Sequence, residues 1–449
     1  MWNIVFSPLA IAPWCSASQH GFSTSLHYLA NILRIIIYVK NIVIVGASLA
    51  GVRAAETLRS SGYTDTITMI GAEQHMPYDR PPLSKNYLAG DWEADRIALR
   101  KSEDLEALAL TWKLGVAATA LHTAENTVAL ANGEVVAYDG VVIATGGLVR
   151  KLPGQPNIAG VHVLRTLDDA AALRDELTPG ARVVVIGAGF IGLEAAATAT
   201  KRGSVVTVLE GLEAPLIRAL GAEMGTAIGD VHARNGVTIM CGVQVASING
   251  DTKVTGVTLG DGTVIDADVV IVGIGVAPAT HWCESSSLTI RDGIVSDANL
   301  NAGPANVFVA GDVLRWPNGL FTDIEPDMRV EHWTNAAEQG AHAAKNLLAS
   351  LDGEEQAPYE AVPFFWSDQF DARIQFLGRA VAGAVVDVVA GDTAAGKWCA
   401  MYSLNNRLIG VLGVSQPKLV MPSRALLAKH TTRDEALAHF AAVVAAQNK

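Results

Sequence analysis

The sequence predicts an α/β chain with two Rossmann-like dinucleotide-binding units and a C-terminal α+β interface domain. Three observations predict it. Residues 40–73 read as strand, glycine turn, helix, strand and acid. The same order returns between Arg182 and Glu210. From Pro358 onward the glycine turns give way to alternating Val and Ile runs, the pattern of an antiparallel sheet.

In the first unit, Asn41–Val45 is apolar and β-branched, as a strand buried on both faces must be. Gly46-Ala47-Ser48-Leu49-Ala50-Gly51 follows at once. Gly46 permits a tight turn, the following helix (52–60) aims its N-terminus at a pyrophosphate, and Gly51 lets helix and strand pack closely. Ser48 stands where a middle glycine is usual; it is small, and its hydroxyl can donate to phosphate. A second strand (67–70) leads to Glu73, placed to accept from a ribose hydroxyl.

Composition bounds the rest. A chain of 449 residues implies about two to three domains. With 50% hydrophobic and 17% charged residues it can bury a large core. A net charge of −12 argues against nucleic acid as a partner. The four cysteines (Cys15, Cys241, Cys283 and Cys399) form no CxxC, so neither a metal site nor a disulfide framework is expected, and the cytoplasm is the default location. Residues 1–39 hold no Asp or Glu, and Arg34 is their only Lys or Arg. Their apolar runs are too short to span a membrane. They are expected to be an extension outside the fold, with the natural protein starting near Val39.

After Glu73, three prolines between His75 and Lys85 predict a rigid loop, and its position beside the first unit turns Arg80 and Lys85 toward the ligand. Residues 91–110 are charged and amphipathic and are expected to be helical around their middle. Strands are expected over 112–121, which includes Val116 of the expected binding set, and over 127–131, with Asn132-Gly133 as a hairpin turn. Residues 138–147 read as a buried strand ending in Ala144-Thr145-Gly146-Gly147, small enough for close approach of a nucleotide.

The second unit carries a full GxGxxG at Gly187, Gly189 and Gly192, interleaved with Phe190 and Ile191 and followed by Glu194. Its next strand (204–209) ends at Glu210. A carboxylate there accepts from a 2′-hydroxyl and repels a 2′-phosphate, which favours NADH over NADPH. Arg218, a few residues on, leaves the phosphate alternative open. A further strand (268–272) leads into Gly273-Ile274-Gly275. Another ends at Gly311-Asp312, where the carboxylate becomes a candidate for a flavin's ribityl chain. His332 and Trp333 open a helix running to about Ala349; both helix-start packing and a cofactor contact fit them. The chain closes on a helix over Arg433–Gln447.

The most specific segments are PYDRPPLSK (77–85), GAGFIGLEAA (187–196), VFVAGDV (307–313), RVEHWTNAAEQG (329–340) and FFWSDQ (364–369). Through them, and in order from about residue 40 to the C-terminus, the sequence resembles the FAD-dependent, NADH-using reductases of ferredoxins, rubredoxins and putidaredoxin-type proteins. These are a branch of the pyridine nucleotide–disulfide oxidoreductase superfamily. The resemblance implies a glutathione-reductase-like fold: a split FAD domain (40–149 and 268–340), an inserted NAD domain (150–267) and a C-terminal α+β domain (341–449). It implies that Gly46, Ser48, Leu49, Ala50, Gly51 and Glu73 hold the ADP part of FAD. Arg80, Val116, Ala144, Thr145, Gly146, Asp312 and His332 would line the rest of the FAD, with Lys85 near the isoalloxazine and Trp333 near the ring. NADH would lie on Gly187, Gly189, Phe190, Ile191, Gly192, Glu210, Arg218, Gly273, Ile274 and Gly275, with its nicotinamide beside Glu194. Lys85, Glu194 and Trp333 are the residues expected to carry the chemistry.

The resemblance further implies an iron–sulfur partner, a [2Fe-2S] ferredoxin or rubredoxin, that feeds a Rieske-type dioxygenase or a haem monooxygenase. The chain itself would be a monomer or homodimer, with clustered basic residues docking an acidic ferredoxin. Residues 74–100 contain no cysteine, so a disulfide relay next to the flavin is not expected. The same scaffold also serves NADH oxidases and peroxidases, which use a flavin-proximal cysteine, and redox-sensing proteins resembling apoptosis-inducing factor, which form a long-lived charge-transfer complex without turnover.

Overall fold

The computed structural model describes residues 41–447; the extension expected over residues 1–39 lies outside them. Strand β1 (Asn41–Val45) leads through the glycine turn into helix α1 (Leu49–Ser60) and strand β2 (Thr66–Gly71). The helix begins at Leu49 rather than Val52, because Ser48 is already the extended N-cap residue, with φ −131° and ψ −163°.

Three local expectations are met only in part, each for a physical reason. The proline-rich stretch is the expected rigid loop only as far as Arg80: Pro81–Ser84 forms a 3-10 turn, and a short α-helix, Asn86–Ala89, follows it. Prolines fit a first helical turn, where no N–H is needed. Over 91–110, helical pieces at Ala94–Ile97 and Ser102–Ala107 flank a non-helical middle. Ala98 there bridges Tyr78, and Leu99 N–H donates to Pro77 O at 2.9 Å, so tertiary pairing overrides the amphipathic pattern.

The strand expected over 112–121 breaks at Gly115, whose φ is +73°. Its first half is β3 (Thr111–Leu114), and its second half joins a separate three-stranded sheet with Thr127–Leu130 and Val135–Ala137. The hairpin turn falls on Asn132-Gly133 as expected, with Gly133 at φ +86°.

The chain continues through β4 (Gly140–Ile143) and β5 (Val161–His162). The second unit follows: β6 (Arg182–Ile186), α2 (Phe190–Lys201), β7 (Val205–Glu210), α3 (Ala222–Arg234), β8 (Thr238–Cys241) and β9 (Val269–Val272). Strand β10 (Val307–Val309) and helix α4 (Trp333–Asp352) come next. Two five-stranded parallel sheets result, ordered β10-β4-β1-β2-β3 and β8-β7-β6-β9-β5. The continuous apolar runs of β1, β4, β6 and β9 are buried throughout apart from the first residues of β1 and β6, as strands covered on both faces must be.

Helix α4 runs unbroken past residue 341 and lies along α1. Gly340 makes this possible: a Cβ there would sit 2.1 Å from Ala50 O. Gly340→Ala is therefore expected to lower stability by about 1–3 kcal/mol, since two backbones must separate to admit one methyl group. Thermal unfolding of the purified protein measures it.

The C-terminal sheet comprises β11 (Phe364–Gln369), β12 (Ala372–Gly378), β13 (Val385–Asp392), β14 (Lys397–Leu404) and β15 (Arg407–Val414), paired antiparallel in the order β11-β12-β15-β14-β13. Helix α5 (Arg433–Gln447) packs Ala436 and Phe440 into a core with Leu408 and Val411. Among the described residues, no helix is long and apolar enough to cross a membrane.

Candidate functional site

The two glycine turns solve one steric problem twice. Gly46 has φ +124°, and a Cβ on it would meet Ala144 O at 2.1 Å. A Cβ on Gly51 would lie 2.0 Å from Gly46 O. In the second unit Gly187 has φ +104° and faces Gly273 O, 2.4 Å from its would-be Cβ, while Gly192 faces Gly187 O at 2.2 Å. The middle positions differ. Ser48 is extended, a conformation open to any residue, and Gly189 faces open space with nothing within 4 Å of its would-be Cβ. Neither α1 nor α2 has a side-chain cap or an acidic residue in its first turn. Their leading N–H groups and the positive ends of their dipoles are therefore left for an anion.

A cleft of about 800 Å³ opens at the head of α1, within the ~300–1,000 Å³ usual for cofactor sites. Gly46, Ser48, Leu49, Ala50 and Glu73 of the first unit line it. Arg80, Lys85, Ala144, Thr145 and Gly146 continue the wall, and Asp312, His332 and Trp333 close it. From the second unit Phe190, Ile191, Glu194 and Arg218 reach the same space, so α2 presents its first turns to both nucleotide units.

Other expected residues lie elsewhere. Gly51 is packed behind the turn. Val116 does not line the cleft; its N–H donates to Gly71 O at 3.1 Å, and Ala117 and Ala118 take the lining positions. Gly187, Gly189, Gly192, Glu210, Gly273, Ile274 and Gly275 gather at a second locus, at the ends of β6, β7 and β9. Glu210 is fixed there by Ala188 N–H at 2.7 Å and Leu212 N–H at 2.9 Å.

Charge is arranged in pairs across the cleft. Glu73 accepts from the Tyr78 hydroxyl and from Arg80 at 2.6 Å; Arg80 also donates to Arg165 O at 2.7 Å. Arg165 pairs with Asp312 at 3.1 Å, and Arg329 donates to the Asp312 carbonyl at 3.2 Å. Lys85 Nζ lies 2.8 Å from Glu194 Oε2, which also accepts from the Ser84 hydroxyl. Trp333 Nε1 donates to Asp79 at 2.6 Å, and burial pushes the Asp79 carboxyl up. The Trp333 ring meets Trp366 edge-on at 6.0 Å, and Phe190 meets Phe365 at 4.7 Å.

His332 is packed against Phe365 at 4.8 Å, and burial pushes its imidazole down to about 3 from an ordinary 6.5. Between about 3 and 6.5 the folded protein holds it neutral while the unfolded chain protonates it. The unfolded state therefore binds more protons in that window, and stability falls as pH drops from 6.5 toward 3. His332→Gln is expected to flatten this decline, measured as unfolding free energy against pH.

Sequence reading missed Arg165, Tyr78, Phe365, Trp366 and Ser367. Tyr78 and Ser367 stood inside segments already singled out, but nothing local marks a tyrosine as the partner of an acid. Arg165 precedes the Thr166 capping box of a short helix, and its value comes only from Asp312, distant in sequence. Of the three cysteines among the described residues none lines the cleft, and burial pushes the Cys283 and Cys399 thiols up to about 12.

Bare helix heads behind two glycine turns, a carboxylate at the end of each following strand, and arginines in the cleft fit pyrophosphate-bearing dinucleotides. These features define a dinucleotide-dependent oxidoreductase. Residues 40–340 match the pyridine nucleotide-disulphide oxidoreductase family and residues 364–443 the reductase C-terminal family, so the chain belongs to the pyridine nucleotide-disulphide oxidoreductases, in their ferredoxin-reductase branch. It is 37% identical over 390 residues to rhodocoxin reductase of Rhodococcus erythropolis, covering 86% of this chain and 89% of that one. It is 36% identical over 394 residues to the ferredoxin–NAD(+) reductase component of the anthranilate 1,2-dioxygenase system of Burkholderia cepacia, covering 86% and 93%. Among solved structures, the covalent putidaredoxin reductase–putidaredoxin complex superimposes with a TM-score of 0.83 at 32% identity, over 91% of this chain and 99% of that one.

Proposed function

We propose that this chain passes electrons from NADH, through FAD, to a ferredoxin-type iron–sulfur protein that feeds an oxygenase. The observation that carries this reading is the cleft. It places the Lys85–Glu194 pair and Trp333 in one lining beside the first glycine turn, with the first turns of α2 reaching the same space, and no described cysteine lines it. A disulfide relay and a cysteine-based oxidase or peroxidase both need a thiol there. The relatives support the partner class: one is a rhodocoxin reductase, one serves a dioxygenase system, and one is solved bound to putidaredoxin.

In this reading the fold is glutathione-reductase-like. Residues 40–149, together with the chain from the end of β9 through α4, form the FAD domain; 150–272, which takes in β9 paired with β6, form the NAD domain; and the residues after α4 form the C-terminal domain, so the breaks expected at 268 and 341 move to the ends of β9 and α4. Gly46 and Gly51 shape the turn under the FAD pyrophosphate, Ser48 and the N–H groups of Leu49 and Ala50 donate to it, and Glu73 accepts from the ribose. Arg80 and Asp312 hold the middle of the cofactor, Ala144, Thr145 and Gly146 give it backbone room, and His332 and Trp333 wall the ring. Gly187, Gly189 and Gly192 receive NADH, with Glu210 accepting from its ribose and discriminating against a 2′-phosphate. Phe190, Ile191 and Arg218 line its approach to the flavin.

Hydride transfer between nicotinamide and flavin, followed by release of single electrons, is the chemistry that the two groups supply when bound. The protein supplies orientation and charge. Glu194 and Lys85 hold each other at the junction of the two nucleotide units, so the Lys85 ammonium is a fixed positive charge where negative charge develops. Trp333, tied to Asp79, lines the cleft and is itself partly exposed, so it is a ring that a docking partner can reach.

The test is anaerobic mixing with NADH, followed by a panel of ferredoxins. Rapid bleaching of the flavin absorbance and turnover with a ferredoxin supports the reading. A long-lived charge-transfer complex without turnover replaces it with the redox-sensing one.

A further inference from the structure

Glu194 is held by more than Lys85. Its Oε1 accepts from Ser367 Oγ on β11 at 2.6 Å. Ser367 Oγ in turn lies 3.0 Å from Gln369 Nε2, and Gln369 Oε1 lies 2.8 Å from His232 Nε2 on α3. All four side chains are buried: 5% exposed at Glu194, 1% at Ser367 and Gln369, and none at His232. The row runs from the cleft, through the C-terminal sheet, to the second nucleotide unit.

Its direction is fixed by chemistry. A carboxylate paired with an ammonium only accepts, so Ser367 donates to Glu194. The hydroxyl has one proton, so toward Gln369 it must accept, and the amide nitrogen faces it. The amide oxygen then faces His232, whose Nε2 must carry the proton. Burial lowers the tendency of His232 to protonate, and no acceptor among the described residues faces its Nδ1, so nothing competes with the Nε2–H tautomer. Every bond in the row therefore points its donor toward Glu194. The β11–β12 hairpin is pinned at the same place: Lys201 of α2 donates to Phe370 O at 2.9 Å, and Phe370 packs edge-on against His232 at 5.1 Å.

We propose that Ser367, oriented by Gln369 and His232, is a positioning residue for the Glu194–Lys85 pair. The C-terminal sheet is thereby a working part of the NADH side of the reaction. The inference rests on the role given above to that pair. Packing alone would fill the same space with an apolar side chain. An inward-facing Ser and Gln on a strand at the core instead cost desolvation, and that cost is offset only when each polar atom is satisfied in a defined direction.

The test uses the FAD-loaded protein in anaerobic stopped flow, reading flavin bleaching against NADH concentration. Variants are compared at equal bound flavin. Ser367→Ala is expected to lower the limiting rate constant about tenfold, with the apparent Kd for NADH within about twofold of wild type. Gln369→Glu keeps the side-chain volume but exchanges a donor for an acceptor. It is expected to slow the limiting rate as Ser367→Ala does, because the new carboxylate draws the Ser367 proton away from Glu194. Should Ser367→Ala fail to hold flavin, Gln369→Glu carries the test. A limiting rate left at the wild-type value in either flavin-bearing variant, or a change confined to the apparent Kd, overturns the inference. Failure of NADH to bleach the wild-type protein overturns the proposed function instead.

Discussion

Replacing Lys85 with alanine is expected to slow reduction of the bound flavin by NADH about a hundredfold, the size of effect seen when one preorganised charge-stabilising donor is removed from an enclosed site. The structure gives the reason. Lys85 is the cation paired with Glu194, and their side chains are only 16% and 7% exposed. Without the ammonium, the Glu194 carboxylate keeps only the Ser84 and Ser367 hydroxyls as donors. An incompletely compensated buried charge also costs stability, about 3 kcal/mol for a broken buried pair. Two readouts separate the effects: stopped-flow bleaching at saturating NADH reports the chemistry, and thermal unfolding reports the pair. A variant that unfolds earlier but bleaches at the wild-type rate leaves Lys85 a structural role only.

This pair also marks the limit of what the sequence displays. The glycine turns are legible because their constraints are local: Gly46 and Gly51 lie within one turn of each other, and so do Gly187 and Gly192. The strands before them are legible because a parallel strand covered on both faces has to be apolar throughout. The Lys85–Glu194 contact spans 109 residues and Arg165–Asp312 spans 147, and no periodicity encodes either meeting. Lys85 is legible from its loop beside the first unit, but its role and that of Glu194 come from family resemblance, and nothing in the sequence points to Arg165. Ser367 and Gln369 illustrate a different failure. Polar residues at alternate strand positions read as the solvent face, yet here that face turns into the core, because Glu194 and His232 wait for it there. Residues 91–110 misled for the converse reason, since a helical pattern yielded to backbone pairing with the segment at Pro77 and Tyr78.

Gly46→Ala is expected to abolish flavin retention, leaving colourless or insoluble protein. Two costs coincide at this residue. Its φ of +124° is a region that an L side chain seldom enters, costing about 1–3 kcal/mol. The new Cβ would also lie 2.1 Å from Ala144 O, and neither backbone is free to retreat. Gly46 N–H is tied to Ile70 O at 2.8 Å, and Ala144 N–H to Val45 O at 2.7 Å, so relief on either side breaks the central ladder of the first sheet. Two companion substitutions isolate the cause. Ser48→Gly acts on a residue that is already extended at φ −131°, so it should fold and keep its flavin, with a stability change within about 1 kcal/mol. Gly189→Ala, at φ −77° in open space, should fold normally and hold flavin but bind NADH more weakly, because the methyl group occupies room left for the pyrophosphate. Absorbance of bound flavin and titration with NADH read all three. If Gly46→Ala stays yellow, the turn tolerates a side chain and the close approach to Ala144 is not what fixes the cofactor. If Gly189→Ala binds NADH as tightly as wild type, the open face of the second turn is not where the pyrophosphate lies.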